Sequence, residues 1–391
     1  MSAGKKIKTT YTIRNKATLL KGGSDYFEQL KKCIDESSHF IQLQVYIFEE
    51  DSTGKEIAEC LKNASKRGVK VQILLDGYAS RNLSDNFLNT LRNTGIQVRF
   101  FNPLLKSNNF YFGRRLHHKI AVMDGYKAIV GGINISDRYN DLPNQAAWLD
   151  FAVLVEGETA YELHKLCLQF YHKKRNIENG IERIKANQKN DQNTYCPIRI
   201  RRNDWVMNKH QISGTYMEFF RNAQREITIM SSYFIPNKFF RNQMTSAVKR
   251  GVKIKLLLAG KSDVSIAKNA ERYFYRWALR NKITIFEYTH SVLHSKLAIC
   301  DERIVTIGSY NINDISAFAS IELNLDIEEK TFAQYVSSAV NEILQKESIE
   351  IREEDRLNKY KWIDQLQQWF SYIIFRFIFQ LFTFYFSKKK V

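Results

Sequence analysis

The chain has 391 residues, of which 44% are hydrophobic and 26% charged, with a formal net charge of +18 at pH 7. This composition is typical of a globular protein with one large core or two modest ones, and it does not favour a disordered chain. The positive charge favours a polyanionic partner, either nucleic acid or an anionic membrane surface. The five cysteines are scattered and never spaced as Cys-x-x-Cys, so neither a disulfide framework nor a zinc site is predicted.

Taken in chain order, the first residues carry no targeting pattern. The stretch MSAGKKIKTTYTIRN lacks the apolar run of a secretory signal, so we expect the domains to stay in the cytosol. An apolar strand follows at 41–48 (IQLQVYIF), then an amphipathic helix, then a Lys-Arg-Gly turn and a second buried strand at 66–75 (KRGVKVQILL). This order is a βαβ unit, which favours a parallel or mixed sheet covered by helices.

The same elements return in the second part of the chain, at 226–235 (EITIMSSYFI) and 249–258 (KRGVKIKLLL). The repeat indicates an internal duplication. We therefore predict an α/β protein made of two pseudo-symmetric halves, each an α/β/α sandwich with a mixed sheet, followed by a C-terminal amphipathic helix. The predicted boundaries are 1–171 for the first half, 172–200 for a basic polar linker, 201–345 for the second half and 346–391 for a helical tail.

Aromatic side chains dominate the last 23 residues, 369–391. A helix would gather their few polar side chains into one narrow stripe on an otherwise apolar surface. The stripe consists of Arg376, Gln380, Thr383 and Ser387. With three terminal lysines, this pattern predicts a helix that enters a membrane interface through 369–390. The alternative is a helix that docks on the core or on a second subunit.

Two short stretches repeat one set of chemical groups. LHHKIAVMDG (116–125) places a histidine and a lysine two residues apart and an aspartate five residues later, and LHSKLAICDE (293–302) does the same. Two chance occurrences of this spacing would be on the order of a one in a hundred event. Each stretch is followed at equal distance by two small residues and an asparagine. The two sets are His117, Lys119, Asp124 and Asn134, and His294, Lys296, Asp301 and Asn311.

Side chains alternate along a strand, so the histidine and lysine of each set share one face. If the halves pack about a pseudo-twofold axis, two histidines, two lysines and two asparagines meet in one pocket. Such a pocket suits a phosphodiester, because the lysines neutralise its charge without a metal and the asparagine amides donate hydrogen bonds. A neutral histidine would attack phosphorus, and a protonated one would give its proton to the leaving alcohol. No metal site and no cofactor are predicted.

Further carboxylates lie near these motifs. Asp150 in WLDF and Glu322 in SIEL are candidates to hydrogen-bond the second ring nitrogen of the histidines and fix its tautomer. Asp124 and Asp301 are retained among the candidate catalytic residues, although their place before a turn favours a structural role.

The stretches HHKIAVMDGYKAIVGGIN and HSKLAICDERIVTIGSYN resemble the paired HxKxxxxD signature of the phospholipase D superfamily, and the resemblance runs over roughly residues 12–345. It implies metal-independent transfer of a phosphodiester through a phosphohistidine. By position, His117 matches the histidine usually taken as nucleophile and His294 the general acid. YIFEEDSTGKEI, GGINISDRY and YFIPN are most similar to bacterial cardiolipin synthases. Such enzymes move a phosphatidyl group from phosphatidylglycerol to a second phospholipid.

The leading hypothesis is therefore a cardiolipin synthase-like phosphatidyltransferase at the cytoplasmic face of the cell membrane, with phosphatidylglycerol as its anionic substrate. A phospholipase D hydrolase is a close variant. A nuclease of the same superfamily is the runner-up, favoured by the net charge and by the basic stretch RIRRNDW at 199–205. An inactive lipid-binding scaffold is a third class. One chain carries both motifs, so the active site requires no oligomer, and we expect a lipid rather than a nucleic acid as partner.

Overall fold

The computed structural model describes residues 10–103, 114–173, 195–313, 320–352 and 362–387. Within these ranges the chain forms two β-sheets with helices packed on them. The elements of the first half are β1 Asn15–Lys21, α1 Ser24–Asp35, β2 Phe40–Val45, α2 Ser52–Lys66, β3 Lys70–Asp76, α3 Asp85–Arg92, β4 Gln97–Phe101, β5 Arg115–Leu116, β6 Lys119–Met123, β7 Lys127–Gly131, β8 Phe151–Gly157 and α4 Glu158–His172.

The second half repeats this succession with a few additions. Its elements are β9 Ile198–Asp204, β10 Lys209–His210, α5 Gln211–Asn222, β11 Glu226–Ser231, α6 Lys238–Lys249, β12 Lys253–Lys261, α7 Ser265–Tyr273, α8 Tyr275–Arg280, β13 Thr284–Val292, β14 Lys296–Cys300, β15 Ile304–Gly308, β16 Ser320–Ile327, α9 Lys330–Lys346 and β17 Ser348–Ile351. A final helix, α10, spans Trp362–Ser387.

The two sheets have the same strand order. The first runs β1-β8-β7-β6-β2-β3-β4, and the second contains β9-β16-β15-β14-β11-β12-β13 in the same succession. In both, the last three strands are parallel to one another and the other neighbours are antiparallel. The predicted pseudo-symmetric α/β fold with mixed sheets is therefore confirmed. The interface between the halves is called the seam here. One strand pair spans it, because β5 of the first half pairs with β16 of the second.

The repeated Lys-Arg-Gly segment ends a helix in each half. Gly68 and Gly251 follow α2 and α6 with φ of +91° and +94°, and a Cβ at either position would meet no atom within 4 Å. These glycines are therefore required by backbone conformation and not by crowding. The amides of Val69 and Val252 reach back to Ala64 and Ala247, which closes the helix end with a Schellman-type turn.

The cores show how tightly the halves are joined. One apolar cluster packs α1, α2 and α3 on the first sheet, and another packs α5, α6 and α8 on the second. A third cluster contains residues of both, including Val153 and Val155 of β8, Leu163 of α4, and Leu323 and Leu325 of β16. The halves therefore share one continuous interior between α4 and α9.

Several predicted boundaries shift in the structure. The strand predicted at 41–48 ends at Val45 and the one at 226–235 ends at Ser231, and the chain bends at the next residue in both. β9 begins inside the predicted linker 172–200, most of which lies outside the described residues. β17 pairs with β13 and so belongs to the second sheet, although the prediction assigned it to the tail.

The tail forms the predicted helix, and one of its faces docks on the second half. Tyr372 stacks on Tyr273 of α7 with ring centroids 4.9 Å apart, and it meets the Phe274 ring edge-on at 5.1 Å. Gln368 and Ser371, on the same side, are buried. Of the predicted polar stripe, Arg376 is exposed, and the side chains of Gln380, Thr383 and Ser387 lie outside the described residues. No helix among the described residues has the length and hydropathy needed to cross a membrane.

Candidate active site

The motif histidines lie at the seam, each two residues before the start of a short central strand. The backbone N–H of His117 donates to the carbonyl of Ile321 at 3.0 Å, and the N–H of His294 donates to the carbonyl of Leu149 at 2.8 Å. Each histidine is therefore anchored by the main chain of the opposite half. The residue after each anchor is one of the two predicted carboxylates.

These carboxylates bind the rings across the seam. Nδ1 of His117 lies 2.8 Å from Oε2 of Glu322, and Nδ1 of His294 lies 2.7 Å from Oδ2 of Asp150. Both carboxylates are 0% exposed. A carboxylate accepts a hydrogen bond, so each pair favours the tautomer with the proton on Nδ1 and leaves the Nε2 lone pair available for chemistry.

The motif lysines are buried beside the histidines. Nζ of Lys119 donates to the His117 carbonyl at 2.9 Å and lies 5.0 Å from the centre of the Tyr46 ring. Nζ of Lys296 donates to Oγ of Ser232 at 2.8 Å and to the His294 carbonyl. Two ammonium groups in one buried site attract an anion strongly.

Burial changes the protonation of the whole site. It lowers the pKa of Lys119 to about 7 and that of Lys296 to about 8, and the Lys296 charge contributes to the first of these shifts. Burial also lowers the pKa of both histidines, most strongly for His294, where Lys296, Lys119 and His117 add to the effect. For Asp150, burial raises the pKa to about 7. Charged groups of each motif therefore shift the pKa values of groups in the other motif. Together with burial, these shifts favour neutral imidazoles at neutral pH.

Aromatic residues that the sequence interpretation missed line the same site. The Tyr46 ring lies edge-on to His117 with centroids 4.7 Å apart. Tyr139 and Trp148 flank His294, and the Tyr139 hydroxyl is 3.4 Å from His294 Nε2. The sequence did place Tyr46 in the predicted strand 41–48. The pairing of Val45 with Lys119, which brings Tyr46 to the site, is seen only in the structure.

The small residues after each motif make room for the carboxylates. A Cβ at Gly132 would come within 2.4 Å of the Asp150 carboxylate, so no side chain fits there. At the equivalent place in the second half, the hydroxyl of Ser309 donates to Glu322. The two carboxylate–histidine pairs are therefore held differently, one over a glycine and the other by a serine.

Asn134 and Asn311 lie just past the ends of β7 and β15, as part of the scaffold of the site. Oδ1 of Asn134 accepts from the Ile47 N–H at 3.1 Å, and its Nδ2 donates to the Tyr139 hydroxyl at 2.8 Å. Oδ1 of Asn311 accepts from the Ser232 hydroxyl at 3.2 Å. These contacts position Tyr139 and Ser232, and the donation of an asparagine amide to a phosphate stays a prediction.

The motif aspartates lie elsewhere. Asp124 accepts from the backbone N–H groups of Ser38, His39 and Phe40, and Asp301 accepts from those of Gln224, Arg225 and Glu226, all between 2.7 and 2.9 Å. At about 3.3 Å per residue, each is roughly 20 Å along its strand from the motif histidine. Both carboxylates therefore tie the turn to the start of the neighbouring strand, and the structure does not bring them to the candidate catalytic groups.

Comparison with known proteins agrees with this architecture. Residues 30–165 and 216–344 match the family described as "Cardiolipin synthase, PLD-like domain". Cardiolipin synthase B of Escherichia coli (strain K12) is 30% identical over 361 residues, which cover 91% of this chain and 86% of that protein. The chain belongs to the cardiolipin synthase family of phospholipase D-like proteins. Cardiolipin synthase 1 of Staphylococcus aureus (strain COL), another relative, is 29% identical over 81% of this chain and 64% of its own length.

A solved structure supports the fold of this family member. The crystal structure of phosphatidylserine synthase from Haemophilus influenzae Rd KW20 superposes with a TM-score of 0.72 and covers 94% of this chain and 95% of that chain. At 14% identity, this likeness concerns the fold alone. Membership of the family indicates an enzyme. Among the described residues, no group of three or more His, Cys, Asp or Glu side chains is arranged to hold a metal ion.

Proposed function

We propose that the protein is a phosphatidyltransferase that moves a phosphatidyl group from phosphatidylglycerol to the hydroxyl of a second phospholipid. The observation that carries the proposal is the pair of carboxylate-bound imidazoles, His117 and His294, that meet beside two buried ammonium groups. With two phosphatidylglycerols as substrates, the products are cardiolipin and glycerol. One chain supplies the whole site, so an oligomer is not required.

In the proposed reaction, Lys119 and Lys296 neutralise the phosphodiester in place of a metal ion. The bound phosphodiester anion stabilises the protonated form of His294, which then carries a proton on Nε2. In the order that the family resemblance implies, Nε2 of His117 attacks phosphorus, the bond from phosphorus to the glycerol oxygen breaks, and His294 gives that oxygen its Nε2 proton. His294 then takes the proton of the incoming lipid hydroxyl, whose oxygen attacks phosphorus and releases His117. Water in the place of that lipid would give hydrolysis.

We further propose that α10 holds the protein on the cytoplasmic face of an anionic membrane. The side of the helix opposite the docked face exposes a stripe of large apolar residues. The stripe consists of Leu366, Trp369, Phe370, Ile373 and Phe377, each between 37% and 59% exposed. The helix packs on α7, which begins two residues after Asp263. The Asp263 carboxylate accepts from the Tyr233 hydroxyl and raises the pKa of Lys296, so Asp263 lies near the candidate site. A membrane bound to α10 would therefore lie close to that site.

The experiment that tests the activity is incubation of the purified full chain with phosphatidylglycerol vesicles, with products followed by mass spectrometry and a plasmid-nicking assay beside it. We expect cardiolipin and glycerol. His117→Ala and His294→Ala should each abolish turnover with an unchanged circular dichroism spectrum, whereas His290→Ala, an exposed histidine, should keep it. Phosphatidic acid as the sole product would replace the transferase with a hydrolase, and nicked DNA with untouched lipid would replace it with a nuclease.

A further inference from the structure

The three arginines of the basic stretch on β9 have different surroundings. Nε of Arg199 lies 2.9 Å from Oδ2 of Asp326, and Arg201 reaches the same carboxylate at 3.4 Å and Glu218 at 3.1 Å. Arg202 points to the other face of the strand. Its guanidinium is half-buried and makes no hydrogen bond or ion pair with the part of the chain that the structure describes. The charges of Arg199 and Arg201 are therefore neutralised inside the protein, whereas no carboxylate of the described chain is bound to Arg202.

Arg202 lines a cavity of about 460 Å³ at the seam, called here the seam cavity. Its apolar walls are the side chains of Phe101 and Phe170 from the first half and Met207 and Ile321 from the second. A second cavity of about 540 Å³ also has Arg202 in its lining and continues along α4 and β9. The guanidinium thus lies where two partly apolar spaces meet.

The charges of the seam cavity do not balance. Among the described residues that line it, Asp204 is the one carboxylate, and Arg114 binds it through two nitrogens at 2.8 and 3.3 Å. Lys173 and Lys209 line the same cavity and form no ion pair within the described chain. Burial lowers the pKa of Arg202, and burial together with the Arg202 charge lowers that of Lys209. The Asp204 charge opposes this lowering at both groups, but the same carboxylate is already paired with Arg114, so one carboxylate serves three cations. Partly desolvated cations with so little counter-charge are costly, and a bound anion reduces the cost.

We propose that the seam cavity binds the phosphate group of an anionic amphiphile, with Arg202 and Lys209 on the phosphate and the side chains of Phe101, Phe170 and Met207 around the apolar part. Arginine and lysine supply the fork and the point charge that phosphate recognition uses. The apolar walls favour an amphiphile over inorganic phosphate.

The seam cavity is distinct from the candidate active site, although neighbouring residues of β16 belong to the two places. Ile321 lines the cavity, its carbonyl anchors the His117 N–H, and the next residue, Glu322, binds the His117 ring. His118 points away from the pocket, and its ring meets Phe170 edge-on at 5.1 Å. The inference does not depend on the proposed function, because it rests on residues outside the candidate catalytic set.

The test is photolabelling of the full chain with dihexanoyl phosphatidic acid that carries a diazirine on one acyl chain, followed by peptide mapping. We expect adducts on the segments around Phe170 and Met207, and separate adducts at the catalytic pocket. The double variant Arg202→Met/Lys209→Met should lose the seam adducts at least tenfold and keep the pocket adducts and the turnover of phosphatidylglycerol. The matched control Lys66→Met/Lys70→Met removes two exposed cations of the first half and should change neither.

Arg202→Lys keeps the charge and should retain most of the seam labelling, so a loss caused by misfolding is distinguishable from a loss of charge. Adducts confined to the catalytic pocket, or seam adducts that persist in the double variant, would overturn the proposal. Equal seam labelling by the uncharged dihexanoylglycerol diazirine would overturn the role of the phosphate. Displacement by inorganic phosphate at the same concentration as the lipid would overturn the amphiphile and leave a free-phosphate site.

Discussion

Asp150 and Glu322 act through the histidines of the opposite half, and this arrangement defines their contribution. A buried carboxylate that accepts from Nδ1 fixes the ring orientation and the tautomer, and an amide in its place satisfies either tautomer. We expect Asp150→Asn and Glu322→Gln each to lower kcat by about 100-fold or more, with KM for phosphatidylglycerol little changed. Initial rates on vesicles measure this effect. Glu36→Gln, in an exposed pair with Lys127, is the control, and an unchanged kcat in the first two variants would contradict the positioning role.

The two buried lysines give the activity a pH dependence. Lys119 and Lys296 have pKa values of about 7 and about 8, lowered chiefly by burial. A lysine is a cation below its pKa, so the attraction for the phosphodiester is present at lower pH and is lost as the pH rises through these values. We expect kcat/KM, which reports the free enzyme, to fall from pH 7 to pH 9.5. The substrate anion raises both pKa values in the complex, so kcat should fall at higher pH. A flat kcat/KM over this range would refute the assignment.

Among the secondary-structure elements, α10 combines two surfaces in one helix. Its Tyr372 side docks on α7, while Trp369 and Phe370 on the other side are 48% and 59% exposed. Burying one such side chain in an apolar phase contributes about 1.5–3 kcal/mol. We therefore expect Trp369→Ser/Phe370→Ser to weaken binding to phosphatidylglycerol vesicles at least tenfold in a sedimentation assay.

The control for this prediction is Tyr335→Ser, which removes a 62% exposed aromatic ring from α9. It should leave vesicle binding unchanged. Turnover of a dispersed short-chain phosphatidylglycerol should survive in both variants, because neither touches the seam. Equal partitioning of the double variant and the control would remove the support for a membrane-bound α10.

The whole molecule has an interior that both halves share, so the predicted division at 172–200 does not make them independent. Leu325 of β16 packs in the cluster that also contains Val153 of β8. We expect Leu325→Ala to lower the free energy of unfolding by about 2–5 kcal/mol. Hydrogen exchange across a urea series should show β2 and β11 losing protection together.

Val206→Ala is the matched control, because Val206 is 41% exposed, and it should change the free energy of unfolding by less than about 0.5 kcal/mol. Loss of protection in β11 at a urea concentration where β2 is still protected would show that the halves unfold separately. The pseudo-symmetric strand order would then reflect two autonomous domains in contact.

The duplication, the α/β class and the groups of the candidate site follow from the residues alone, because spacing along a strand fixes which side chains share a face. The sequence indicated Asp150 and Glu322 as partners of the histidines but not which carboxylate binds which ring, and the catalytic roles of these residues stay a prediction. The packing of the two halves shows that each histidine is bound by a carboxylate of the other half, 205 residues away for His117 and 144 for His294. It also removed Asp124 and Asp301 from the site. Contacts across a seam depend on how two sheets pack, and no local pattern along the chain carries that information.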